Sequence, residues 1–328
     1  MKKTISLILC AIMLCSLVAL TGCVAPADAA LKFGSAVYVS GVSATDATAD
    51  KDGAGTIDVT IAAVSVDADG KIVACALDTA SNAVAFKADG KAVAAAEFKT
   101  KYELGDNYNM VAYGGAGKEW YAQADAFESV VVGKTLDEVK ALIVDGYKGN
   151  DEVIAAGCTI GIADFIGAVE KAYNAAEDSS VTAADTLKVT AYTAQTNEDA
   201  TADKDGKSSL ETYVFAAAVN AEGQVVTATS DCVAIDFTFN AIGKSTLDTT
   251  KAVQSKRELG DNYGMVAYGG AAKEWYAQAD AFDANCEGKT AAEIAGLMGN
   301  DGKGVEAVQT AGCTIYVNGL VKAAAKIG

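Results

Sequence analysis

The segment Glu103–Phe127, ELGDNYNMVAYGGAGKEWYAQADAF, returns almost unchanged as Glu258–Phe282, ELGDNYGMVAYGGAAKEWYAQADAF. Only Asn109/Gly264 and Gly117/Ala272 differ. The offset of 155 residues then holds without a gap: Gly133-Lys134-Thr135 aligns with Gly288-Lys289-Thr290, and Gly157-Cys158-Thr159-Ile160 with Gly312-Cys313-Thr314-Ile315. Upstream, Asp46–Gly53 (DATADKDG) recurs as Asp199–Gly206. A period this long implies two tandem domains, because solenoid repeats run to only about 50 residues. The boundaries fall at 31–175 and 186–328, with the polar stretch Glu177-Asp178-Ser179-Ser180 inside a linker at 176–185.

Each copy reads in the same order. Ile57–Val64 alternates apolar and polar, Asp67-Ala68-Asp69-Gly70 makes a turn, and Lys71–Leu77 returns, which predicts a β-hairpin. In the second copy Tyr213–Val219, Asn220-Ala221-Glu222-Gly223 and Gln224–Ala228 match it. A helix opened by Gly114-Gly115 follows, with Trp120, Ala124 and Phe127 on one face at i, i+4 and i+7. Thr135 with Glu138, and Thr290 with Glu293, are capping boxes that start a second helix. A last helix carries Phe165, Ile166 and Val169. Strands early and helices late make each copy α+β: an antiparallel hairpin or sheet followed by packed helices.

The chain begins Met1-Lys2-Lys3, continues in an apolar run from Ile5 to Leu20, and reaches Leu20-Thr21-Gly22-Cys23. The run is short of the roughly 20 residues of a spanning helix, and a basic start before a short apolar core describes a signal peptide. The Leu-Thr-Gly-Cys string resembles the lipobox of bacterial lipoproteins. That resemblance implies cleavage after residue 22, a diacylglycerol on the Cys23 thiol, and an acyl chain such as palmitate. Residues 23–30 read as a tether, and the body is then extracytoplasmic, held to the cell membrane by lipid.

Composition narrows the chemistry. The formal charge of −17 grows more negative once Lys2 and Lys3 leave with the signal, so the surface repels phosphate backbones and nucleic acid is excluded as a partner. There is no histidine, which removes Ser/His/Asp and Cys/His catalysis and every His-ligated metal site. Cys75, Cys158, Cys232, Cys286 and Cys313 remain after Cys10, Cys15 and Cys23 are set aside. Their odd number and the absence of any CxxC spacing argue for buried free thiols, without zinc or a disulfide framework. No carboxylate pair shares a helix face in a way that marks a catalytic acid and base. Asp46, Asp50 and Asp52 make an acidic turn and lack the distal glutamate of a calcium loop.

Two strings in each copy are candidate sites. The order of elements, with the Asp69-Gly70-Lys71-Ile72 turn and the closing Ala156-Gly157-Cys158-Thr159 (Ala311-Gly312-Cys313-Thr314 in the second copy), resembles the FMN-binding domain of bacterial exported flavoproteins. In that family an S-G-A-T string carries FMN through a phosphoester on the threonine. The resemblance implies that Thr159 and Thr314, beside Gly157 and Gly312, are those positions. Glycine and threonine match; Ala156 and Cys158 stand in the places of Ser/Thr and alanine, and Val153 in that of an upstream aspartate. The second string is Gly114-Gly115, with Gly269-Gly270, where exposed N–H groups ahead of a helix can hold a phosphate. Around it Tyr108, Met110, Tyr113 and Trp120, and their partners through Tyr268, either wall a slot for a planar ligand or form the core.

Three readings stay open. The chain is a flavin-associated electron carrier beside a membrane-bound electron donor, with the flavin supplying the redox chemistry. Alternatively it is a non-catalytic lipoprotein that binds another small ligand, or a structural surface protein with a degenerate flavin fold.

Overall fold

The computed structural model describes residues 29–95 and 97–328. The signal segment 1–22, Cys23 and the tether as far as residue 28 lie outside the described residues. Among the described residues, no helix is long and apolar enough to cross a membrane.

The chain is mixed α+β with antiparallel sheets. Its first part is a meander of three long strands, β1 (Lys32–Thr45), β2 (Gly53–Val66) and β3 (Ile72–Phe86), and a short β4 (Ala92–Val93) that pairs with β3. Helices α1 (Lys101–Leu104), α2 (Trp120–Val131) and α3 (Leu136–Lys140) follow. A two-residue hairpin of β5 (Ile143–Val144) and β6 (Lys148–Gly149) then leads to α4 (Asp151–Ala156) and α5 (Ala163–Asn174). The second part repeats this order: β8 (Thr186–Glu198), β9 (Gly206–Val219) and β10 (Val225–Phe239), then α6 (Lys256–Leu259), α7 (Trp275–Cys286), α8 (Ala291–Ala295), α9 (Glu306–Ala311) and α10 (Asn318–Ala324). Between the two lies β7 (Glu177–Asp178), which pairs with β1. The segment read as a linker therefore carries an edge strand.

Both expected hairpins exist, and each is part of a longer sheet. The return strand runs past Leu77 to Phe86, through Asp78, Thr79, Ser81 and Asn82. The fold gives those polar residues partners. Thr79 shares a hydroxyl contact with Thr60 at 3.0 Å, and Asn82 Nδ2 donates to Thr193 and Thr212 at 3.1 and 2.9 Å. Both predicted capping boxes form, with Thr135 on Glu138 and Thr290 on Glu293. The helix expected to open at Gly114-Gly115 starts instead at Trp120, because Glu119, the residue ahead of it, is extended.

The alternation of a strand assigns its two faces to two layers. In β2 the even residues Ala62, Val64 and Val66 pack with Trp120, Phe127 and Phe165 of the helices. The odd residues Ile57, Val59 and Ile61 pack with Leu210 and Val214 of β9 and Val233 and Phe237 of β10. In β9 the parity is reversed, with Phe215, Ala217 and Val219 against Trp275 and Phe282. Both sheets are thus covered on both faces, and their central strands read as near-continuous apolar runs. The layers are helix, sheet, sheet, helix, and the sheet-to-sheet core is shared by the two repeats.

The contact between repeats is reciprocal. Ala47 N–H donates to Gly243 O at 2.7 Å, and the aligned Ala200 N–H donates to Gly90 O at 2.8 Å. The Asp46 carboxylate accepts from Ser245 N, and the aligned Asp199 accepts from Ala92 N, each at 2.9 Å. Lys326 pairs with Glu103 at 2.6 Å, and the aligned Lys171 pairs with Glu258. Phe86 stacks on its own counterpart Phe239, with centroids 4.5 Å apart and planes 7° apart. This is the pattern of an isologous dimer written within one chain. It also explains the recurrence of DATADKDG, whose first aspartate latches the opposite repeat.

Candidate functional site

The Gly-rich loop before α2 holds an anion of its own. Glu119 Oε2 accepts from Met110 N at 2.9 Å and Oε1 from Val111 N at 3.0 Å; Glu274 does the same for Met265 and Val266 at 2.8 and 2.9 Å. A side-chain carboxylate thus sits on the loop three to five residues ahead of Gly114-Gly115 and Gly269-Gly270, a negative charge beside the place a phosphate would take. Tyr113 and Tyr268 stand out from that loop, 87% and 93% exposed. Trp120 and Trp275, in contrast, are buried in the helical cores, so the aromatics divide between core and solvent and do not wall a slot.

The Gly-Cys-Thr turn closes α4 and α9. Gly157 and Gly312 take left-handed φ values of 107° and 111° at the helix ends, which explains the glycine in both copies. Cys158 and Cys313 behind them are fully buried. Thr159 is exposed, and its N–H and hydroxyl both donate to Gln123 Oε1 at 2.8 and 3.0 Å. Thr314 and Gln278 repeat this at 2.9 Å each. Lys118 reaches the turn, 3.5 Å from Ala156 O, so the two candidate strings do lie side by side. The Thr159 and Thr314 donors are nevertheless committed to Gln123 and Gln278. The five cysteines are free, as the spacing implied.

A cavity of about 670 Å³ lies elsewhere, between the repeats. It is walled by Ala74–Asp78 of β3, by Thr100, Tyr102, Glu103 and Glu128, and across from them by Asp185–Ala191 and Lys326–Gly328. Its volume falls within the range of small-molecule sites. A smaller cleft of about 270 Å³ lies beside Val42 and Asp248.

Two acids give the larger cavity its character. Burial pushes the Asp78 carboxyl up to about 7, against hydrogen bonds from Thr100, Tyr102 and Thr79. Burial likewise pushes Glu128 up to about 7, against the Leu77 N–H, which donates to it at 2.6 Å. The lysines in the wall do not offset them: Lys326 is engaged by Glu103 and by Ala191 O, and Lys188 donates to Ile327 O at 2.6 Å.

The aligned place in the second repeat differs in one decisive residue. Asp78 aligns with Asp231, Leu77 with Ser230, Glu128 with Asp283, Asp125 with Asp280, and Tyr102 with Arg257. The backbone is held alike, since Tyr102 N donates to Asp78 at 3.1 Å and Arg257 N to Asp231 at 3.2 Å. The side chains part company there. The Arg257 guanidinium meets Asp280 at 2.7 Å and Asp283 at 3.0 Å, and its Nε donates to Ser230 O. Asp283 also accepts the Ser230 N–H at 2.8 Å and the Ser230 hydroxyl. Burial raises Asp283 to about 6, with Arg257 pulling the other way. Tyr102 reaches only Asp125, at 2.7 Å, and leaves Glu128 without the guanidinium and the hydroxyl that its counterpart has.

Sequence reasoning did not single out Tyr102, Glu128 or Asp78. The signal was present: the aligned tripeptides Lys101-Tyr102-Glu103 and Lys256-Arg257-Glu258 differ by a full charge one residue before the near-identical block. Among the described residues, no group of three or more metal-ligating side chains converges. The chain matches no protein-family model, no curated protein and no solved structure.

Proposed function

We propose that this chain is a lipid-anchored, extracytoplasmic binding protein, made of two tandem copies of one α+β module, that captures a small ligand in the cavity between them. The observation that carries the reading is the cavity of about 670 Å³ lined by two carboxyls, buried Asp78 and half-buried Glu128, that hold hydrogen bonds but no paired cation. Desolvating an acid without a counter-charge costs stability, so a protein that keeps two in a ligand-sized space pays for a use. The lack of histidine and of an acid/base pair favours capture over catalysis. Cys23 and the lipobox resemblance supply the anchor, and FMN carriage at Thr159 and Thr314 stands behind the small-ligand reading because the donors there are already used.

Native mass spectrometry of the mature protein from its own host tests this. A small-molecule adduct that disappears in Ala76→Trp, which fills the cavity, is the expected result. An adduct-free protein that acquires no ligand from its host's small-molecule extract would sink the reading. A flavin spectrum with a covalent mass increment at Thr159 or Thr314 would restore the electron-carrier reading instead. The same spectrum reports the anchor: Cys23→Ser loses the diacylglycerol mass and leaves the membrane fraction.

A further inference from the structure

The second repeat holds a worked answer to what belongs beside the acids of the first. There, a guanidinium on a three-carbon stem fills the space, bridging Asp280 and Asp283 and resting on the Ser230 carbonyl. The first repeat keeps Glu128 and Leu77 in the wall of an open cavity and lacks the arginine, while Asp125, the counterpart of Asp280, lies outside that wall and accepts from the Tyr102 hydroxyl. Tyr102 turns to Asp125 and is 45% exposed, so it does not fill the gap. We infer that the cavity takes a small alkylguanidinium, its head seated at Glu128, the counterpart of the Asp283 that holds Arg257, and its tail along the apolar wall of β3 and β8.

The wall suits such a tail. Ala74 and Ala76 pack with Leu187 and Val189 of the opposing sheet, and these small and aliphatic side chains, with Ala191, line the cavity. A planar guanidinium offers parallel N–H donors that match a carboxylate in bidentate fashion, which an ammonium head does not. The inference rests on the proposed function above, and the test separates failure of one from failure of the other.

The experiment titrates the full mature chain with pentylguanidinium and with its neutral isostere pentylurea, by calorimetry and by the amide signals of Leu77 and Tyr102. Pentylguanidinium is expected to bind at least about tenfold more tightly, because the head desolvates against a paired charge. Glu128→Gln should weaken it by about tenfold. Tyr102→Arg should abolish it and raise Tm, since the new side chain takes the ligand's place. Equal affinity for the two probes, or tight binding retained in Tyr102→Arg, overturns the guanidinium inference and leaves the cavity as a ligand site. Failure of both probes to bind at millimolar concentration removes the inference and counts against the cavity as well.

Discussion

Tyr102 and Arg257 occupy one position in two copies of one sequence, and their surroundings end in opposite states. Around Arg257 the guanidinium bridges Asp280 and Asp283 and the backbone N–H donates to Asp231, and Asp231 and Asp283 are buried. Around Tyr102 the counterparts of those two buried acids, Asp78 and Glu128, border an open cavity. The next residue back repeats the contrast. Lys256 is buried, pairs with Glu211 at 2.7 Å and lies against the rings of Tyr213, Tyr263 and Trp275. Its counterpart Lys101 is half-buried over Tyr108 and Trp120 only. A shared backbone thus supports one half whose charges are satisfied internally and one half that keeps them available. The two places differ by Tyr102 against Arg257, and also by Leu77 against Ser230 and Glu128 against Asp283.

The comparison can be broken most forcefully at Arg257. Arg257→Ala leaves buried Asp283 and Asp231 without their cation, and should cost about 3–5 kcal/mol in urea denaturation. Tyr102→Ala should cost far less, about 1 kcal/mol, because it removes one hydrogen bond, to half-buried Asp125, and strands no buried charge. Similar losses from the two variants would mean that the two places are energetically alike. Tyr102→Arg moves the other way and should add about 1.5–3 kcal/mol by forming charged hydrogen bonds to Glu128 and Asp125.

A pH series sharpens it further. Asp78 and Glu128 titrate near 7 when folded, above their ordinary values of 3.8 and 4.5. The folded protein therefore holds these protons more tightly than the unfolded one. Their contribution to stability is fully present below about pH 4 and is lost as pH rises through about 7. The groups that face them are Thr100, Tyr102 and Glu103, Asp125 behind Glu128, and Asp185, Lys188 and Lys326 across the cavity. The Asp78→Asn, Glu128→Gln double variant should flatten the decline between pH 4 and 7 by up to about 1.4 kcal/mol per pH unit for each acid. An unchanged slope would place both acids in ordinary solvent. The smallest effect belongs to the symmetric ion pairs at the rim: Lys326→Met and Lys171→Met should each cost no more than about 1 kcal/mol, and equally, because the pairs are half-exposed.

What could be read from the chain was what is local. The capping boxes at Thr135 and Thr290, the Trp120 helix face and the Asp67–Gly70 turn follow from spacings of two to seven residues, and they appear where those spacings put them. The face-to-face packing of the repeats was hidden. Ile57, Val59 and Ile61 show the same alternation whether their face meets a helix or a second sheet. The return strand reads only as far as Leu77 in the sequence, and polar Thr79 and Asn82 extend it because neighbouring strands supply hydroxyls to bond them. Nothing in the spacing of the Gly-rich loop announces that Glu119 folds back onto the Met110 and Val111 N–H groups. The cavity depends on Tyr102, Glu128 and Lys188, which only the packed structure brings together, although the aligned repeats already marked Tyr102 against Arg257 as the odd pair.

One measurement reaches the central claim directly. Carboxyl carbon NMR follows Glu128 and Asp283 in the same sample as pH is varied, without and then with saturating pentylguanidinium. The account predicts that the ligand lowers the Glu128 midpoint from near 7 by at least about one unit and leaves Asp283, already paired with Arg257, where it was. Midpoints that shift together, or a Glu128 midpoint that does not move, would contradict it.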